Sequence, residues 1–244
     1  MAGWMRKLGK LAGPGVRKGK WLWTSLTGTT KEALRAEYDV GRDMAQEVRR
    51  QLGTDDDAET VRLVQDIGRR LAGCVTEEDR TFEVSLVRGE QPNAFALPGG
   101  FVFVTRPLVE LCERREAELA FVVAHEMAHV IRGHALDRVL SDSATAAASR
   151  AIAARSGLGA WVRHVGVRYL TGAYSRDREL AADELGTRLA DAAGYGREGA
   201  VRLLERLDRL RAEGMAETLG LGQYFASHPP TEERIKAVKH APPV

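Results

Sequence analysis

The chain has 244 residues, of which 44% are hydrophobic and 29% charged, so it is long enough for a sizeable core and ordinary in composition for a globular protein. No apolar run approaches the roughly 18 to 20 residues that a spanning helix needs, and the best stretch, residues 151–172, is broken by Arg155, Arg163, His164 and Arg168, so no transmembrane helix is expected. The net charge of +2 conceals an asymmetry: residues 1–31 carry seven Lys/Arg and no acid, which leaves the remainder with 29 basic and 34 acidic residues.

The basic tail, residues 1–31, also bears Trp4, Trp21 and Trp23. Basic and aromatic side chains together suit peripheral contact with an anionic membrane, and the competing reading is a solvated terminus. It carries no base-reading motif, so no nucleic acid is expected as a partner. Gly13-Pro14-Gly15, Lys18 and Lys20 interrupt what a secretory signal would need as an apolar segment, and a cytoplasmic chain is expected, at most touching the inner membrane face. In that compartment Cys74 and Cys112 are expected to be buried thiols.

Residues 32–244 read as one domain. Apolar residues recur at helical spacing from Lys31 to Leu52 and from Asp57 to Cys74, with Leu63, Ile67, Leu71 and Cys74 on one stripe. The period then changes to two: Phe82, Val84 and Leu86 alternate along a strand, and "NAFALPGGFVFVT" (93–105) forms two short strands around Pro98-Gly99-Gly100. Pro107 opens a short helix to about Arg114. A long helix is expected from Glu116 to about Val139, its first turn made acidic by Glu116 and Glu118. An Ala/Ser-rich segment (141–156), a segment from Trp161 to Leu170, and helices from near Ser175, from Arg197 to Leu210 and from Thr231 complete the chain. Only the tail, "GTDDD" (53–57) and the terminal "APPV" look like linkers. The expected fold class is α+β, mostly helical with a small sheet.

The long helix contains "FVVAHEMAHVIRGH" (121–134), with three of the six histidines. On a helix His125 and His129 project about 40° apart and reach one ion together, with Glu126 about 100° round. Two neutral imidazoles that hold zinc, an open position for water and a neighbouring carboxylate to take its proton are the parts of zinc-dependent hydrolysis. His134 lies about 140° from that face on a continuous helix and is expected to be solvated or to sit behind the ligands rather than to be one. By itself H-E-x-x-H also occurs in helices that bind nothing. Spacing excludes the metzincin pattern, since Arg132 and Ala135 stand where that motif needs Gly and His. "SRDRELAADEL" (175–185) offers Glu179 and Asp183, four apart on a predicted helix, as a third ligand with a carboxylate one turn away. Asn93, Ala94, Phe95 and Ala96 lie on a strand just before the active helix, where an extended peptide can pair with main chain.

With "NAFALPGGFVFVTRPLVE", "HEMAH" followed by "RGH", "YSRDRELAAD", "AGYGREGAVRLLERL" and "SHPPTEERI" in that order, the chain resembles the M48 family of zinc metallopeptidases, from about Asp57 to Lys239. The resemblance implies a gluzincin architecture, one zinc ion per chain, and a metalloendopeptidase that acts on polypeptides in quality control or turnover. The alternative is a latent zinc-bound module that holds unfolded chains. Residue by residue it implies His125, His129 and Glu179 as ligands, Glu126 as general base, and Asp183 as partner of His125. For His228, in "SHPPTEER", it leaves three roles open: oxyanion donor, resting zinc ligand, or part of a helix entry capped by Thr231. Arg234 is expected to tie that loop to the domain. Oligomeric state and substrate preference are not legible.

Overall fold

A computed structural model describes residues 30–76, 80–141 and 173–241. The elements are α1 (Thr30–Leu52), α2 (Ala58–Ala72), β1 (Glu83–Val87), β2 (Ala94–Leu97), a 3₁₀ turn (Pro98–Gly100) and β3 (Phe101–Thr105). They are followed by α3 (Arg106–Leu111), α4 (Glu116–Ile131), α5 (His134–Ser141), α6 (Arg176–Ala192), α7 (Glu198–Ala212), α8 (Gly222–Ser227) and α9 (Glu232–Lys239). The tail before Thr30, the Ala/Ser-rich segment after Ser141 and the Trp161–Leu170 segment lie outside the described residues.

The sheet runs β1-β3-β2, with β1 parallel and β2 antiparallel to β3. Because side chains alternate across a strand, each strand feeds two cores. Val84, Leu86, Ala94, Ala96, Val102 and Val104 pack towards α2 and α4, while Val87, Phe95, Leu97, Phe101 and Phe103 meet Val40, Met44, Ala45 and Val48 of α1. Coverage on both faces explains why "FVFVT" and its neighbour "AFAL" are buried throughout. Each fully buried Phe or Leu in these layers contributes about 1.5–3 kcal/mol.

The turn between β2 and β3 is seated on α1. Glu37, buried on α1, accepts from the Gly99 N–H at 2.8 Å, and a Cβ on Gly41 would stand 1.8 Å from the Pro98 carbonyl oxygen. Helix α4 lies in the middle of the molecule, with every residue from Glu118 to Val130 buried. Its burial on all sides reflects an apolar circumference in which the charged residues are the exceptions that need partners. Glu118 is one such residue, paired with Arg206 of α7.

Three expectations need correction. "GTDDD" is not a linker: Arg106 grips Asp55 and Asp57, and Asp57 caps α2 by accepting from the N–H groups of Glu59 and Thr60. The helix expected to run to Val139 ends at Ile131, because Gly133 adopts φ +73° and restarts the chain as α5 at His134. Helix α8 was not anticipated from the sequence. Cys74 and Cys112 are free thiols, as expected, although only Cys112 is buried and Cys74 is partly exposed. No described helix is long and apolar enough to cross a membrane.

Candidate metal centre

Four elements converge on one point. His125, Glu126 and His129 come from α4, Glu179 and Asp183 from α6, His228 from the segment that leaves α8, and Arg234 from the first turn of α9. All seven are 4% exposed or less, which for this many ionisable groups is tolerable only if they satisfy one another.

Close approach of α6 to α4 depends on Gly186, where a Cβ would lie 2.9 Å from both the N and the Cα of His125. That contact brings Glu179 over the histidines. His129 Nε2 is 3.1 Å from His125 Nε2 and 3.2 Å from Glu179 Oε1, and His125 Nε2 is 3.5 Å from Glu179 Oε2. His228 Nδ1 joins them at 3.4 Å from His125 Nε2 and 3.1 Å from Glu179. Together the four side chains offer donor atoms that all lie within 4.8 Å of one another.

These distances fit a zinc ion. Ligand bonds of about 2.0–2.2 Å in a tetrahedron separate neighbouring donors by roughly 3.3–3.6 Å, close to the separations found here. Two imidazole nitrogens whose lone pairs face each other need a proton or a cation between them. Glu126 is distinct from the donor group: its Oε2 is buried without a hydrogen-bond partner among the described residues, and its Oε1 lies 3.4 Å from His228 Nε2.

Behind the donors stands a second layer of charge. Asp183 Oδ1 is 3.0 Å from His125 Nδ1, and the same carboxylate is held by Arg234 through Nε and Nη2 at 2.6 and 2.7 Å. Arg234 also reaches Glu179 at 3.1 Å. Sequence reasoning gave Arg234 only a tie to the loop; it does bond the Pro229 carbonyl at 3.3 Å, but its main partners are the two carboxylates. Thr231 sets this up by accepting from the Arg234 N–H and starting α9 so that its first turn faces α6. Burial opposes charge on Asp183, yet Arg234 and His125 hold its carboxyl below the usual range. Burial likewise opposes charge on His125, but Glu179 and Asp183 outweigh it and raise its pKa from 6.5 to about 9. Burial dominates at His129 and keeps it neutral.

Of the expected site residues, His125, Glu126, His129, Glu179, Asp183 and His228 therefore meet. Ala94, Phe95 and Ala96 lie on β2, which packs on α4, and Asn93 immediately precedes it. The Thr105 N–H donates to the Asn93 carbonyl at 2.9 Å, so alternation turns the N–H and C=O of Ala94 and Ala96 away from β3, towards the sheet edge. One neighbour went unread, Tyr174, stacked on the His129 ring; the other, His134, expected to be solvated or behind the ligands, lies 3.0 Å from His129 Nδ1. The glycine of "RGH", a common helix stop, was the available signal for His134.

Comparison with known proteins agrees with this geometry. The profile described as "Peptidase family M48" matches residues 58–241. The mitochondrial metalloendopeptidase OMA1 of Schizosaccharomyces pombe is 31% identical over 182 residues, 74% of this chain and 52% of that protein. Metalloprotease YcaL of Escherichia coli is 31% identical over 152 residues, 60% of this chain and 57% of that protein. Protease HtpX of Nitrosococcus oceani is 29% identical over 197 residues, 64% of each. The chain thus spans between about half and two thirds of the length of these relatives.

Proposed function

The chain belongs to peptidase family M48, and from that premise we propose that it is a zinc-dependent metalloendopeptidase that hydrolyses internal peptide bonds of proteins in quality control or turnover. The observation that carries this reading is the buried His125–His129–Glu179 group at tetrahedral spacing with Glu126 beside it, its Oε2 without a hydrogen-bond partner among the described residues.

When bound, zinc supplies a Lewis acid that polarises the scissile carbonyl and lowers the pKa of a water to near 7. Glu126 takes the proton from the attacking water and passes it to the leaving amine. Asp183, neutralised by Arg234, orients His125 through its Nδ1. The outward main-chain groups of Ala94 and Ala96 pair with an extended substrate, and Asn93 and Phe95 anchor that strand to β3 and the α1 core.

His228 favours a second reading as well. Four donors close a tetrahedral site, whereas three leave a position for chemistry. With His228 Nδ1 among the donors, this arrangement is a resting state, and a substrate must displace the His228 segment. A module held in that state would bind unfolded chains without cleaving them. The basic, Trp-bearing residues 1–31 supply a peripheral address at an anionic membrane, on the cytoplasmic side.

Cleavage of casein or another unfolded protein, with zinc content measured on the same samples, tests the main reading for wild type and Glu126→Gln side by side. The expected result is about one zinc in both and a loss of about 10²–10⁴-fold in rate for the variant. Zinc without cleavage by either protein would favour the latent module, and absence of zinc from both would refute the metal centre.

A further inference from the structure

His129 is gripped from outside its own helix, and the residue that does it is His134. On an unbroken helix His134 would point about 140° away from the donor face. Because α4 stops at Ile131 and Gly133 turns through φ +73°, the first residue of α5 folds back instead. Its ring is buried, and its Nδ1 lies 3.0 Å from His129 Nδ1. On the face of the His129 ring lies Tyr174, with centroids 3.8 Å apart and planes within 15°, and the Arg138 guanidinium of α5 sits 3.3 Å from the Tyr174 centroid. Rotation of the His129 imidazole is therefore blocked by a stack whose outer member comes from the same short helix as His134.

The proton count gives this contact a direction. A neutral imidazole carries one N–H, and a nitrogen that serves a metal cannot be the one that carries it. His129 Nε2 faces the donor group, so in the ligating form the proton is on Nδ1, and the atom within reach of it is His134 Nδ1. On the reading of this cluster as a metal centre, we propose that His134 is a positioning residue: its Nδ1 accepts the Nδ1–H of His129, and with Tyr174 on the ring face it fixes the tautomer and rotation that present Nε2 to the ion. The two histidine ligands are thereby held unequally, His125 by a charged carboxylate that Arg234 balances, and His129 by a neutral acceptor.

Zinc dissociation constants measured by chelator competition test this for wild type, His134→Leu and His134→Asn. Leucine fills the space without an acceptor, and the Asn carbonyl oxygen reaches about where Nδ1 stood. The expected result is a 10- to 100-fold weaker affinity for the Leu variant, as for other lost partners of metal-bound histidines, and recovery to near wild type for Asn. In ¹⁵N-histidine spectra of the zinc-loaded wild type, His129 should show a protonated Nδ1 with Nε2 on the metal. Equal affinity of wild type and His134→Leu, or an Asn variant no better than Leu with both as heat-stable as wild type, would overturn the proposal and leave His134 a packing residue. If neither variant folds, the wild-type spectrum decides through the ¹⁵N–¹⁵N coupling across the hydrogen bond from His129 Nδ1 to His134 Nδ1, and absence of that coupling in the zinc-loaded protein overturns the proposal. Failure of wild type to bind zinc would instead refute the underlying metal centre, which the same titration reads separately.

Discussion

His125 is the group in this centre whose proton state has a consequence for both stability and metal binding. Its folded pKa of about 9 lies above the ordinary 6.5, so the metal-free protein has this stabilisation in full below about pH 6.5 and loses it as pH rises through 9. Zinc must expel the same proton, so apparent zinc affinity rises over that window, about tenfold per pH unit for one proton. Thermal unfolding of zinc-depleted and zinc-loaded samples at pH 6.5 and 9 checks both signs: the depleted melting temperature falls and the gain on adding zinc grows. At His228 the expected outcome is that His228→Ala keeps zinc and cleaves unfolded substrate faster, because the closing donor is gone. Slower cleavage with zinc retained would instead assign His228 to the oxyanion.

Helices α4 and α6 cross where Gly186 meets the backbone of His125, and the centre exists only because that crossing is close. Gly186→Ala should destabilise the protein by about 1–3 kcal/mol through overpacking, and should also weaken zinc binding because Glu179 moves with α6. Chemical denaturation and chelator competition on the one variant separate the two effects. Helix α9 contributes Arg234 to the centre. Arg234→Leu strands the buried Asp183 and Glu179 carboxylates, at a cost of about 3–5 kcal/mol. Asp183, whose folded pKa is depressed, stabilises the protein above the unfolded value near 3.8 and ceases to do so as pH falls through the folded one, so acid unfolding should begin earlier in the Arg234 variant.

At the scale of the molecule, the sheet is a partition between two cores, with α1 on one side and α2, α4 and the centre on the other. The edge strand β2 is thereby held beside α4 by burial on both of its faces. The excess of base in residues 1–31 belongs to the same scale, since it is a property of charge summed over a segment. Deletion of residues 1–31 should abolish co-sedimentation with anionic vesicles and leave casein cleavage unchanged. Equal vesicle binding by both forms would rule the tail out as an address.

Most elements were legible because their signals are local: the two-residue period of 82–86, the helical stripe of 63–74, Pro107, and Thr231 before α9. The spacing of His125, Glu126 and His129 needs only a helix to become a geometry. Glu179 was harder, for its partners lie about fifty residues away, and only its four-residue offset from Asp183 and the family's motif order pointed to it. Tertiary structure alone decided the rest. Arg234 became the counter-charge of two carboxylates because α9 packs on α6, and no spacing records that contact. His134 reached His129 because one glycine broke a helix that hydropathy continues, and a single φ value redirects every side chain after it. What the sequence by itself determined was which donor types exist and which share a helix face, since these follow from the 3.6-residue period. How many of them meet, and in what charge environment, depended on helix crossings set by close packing across the whole core.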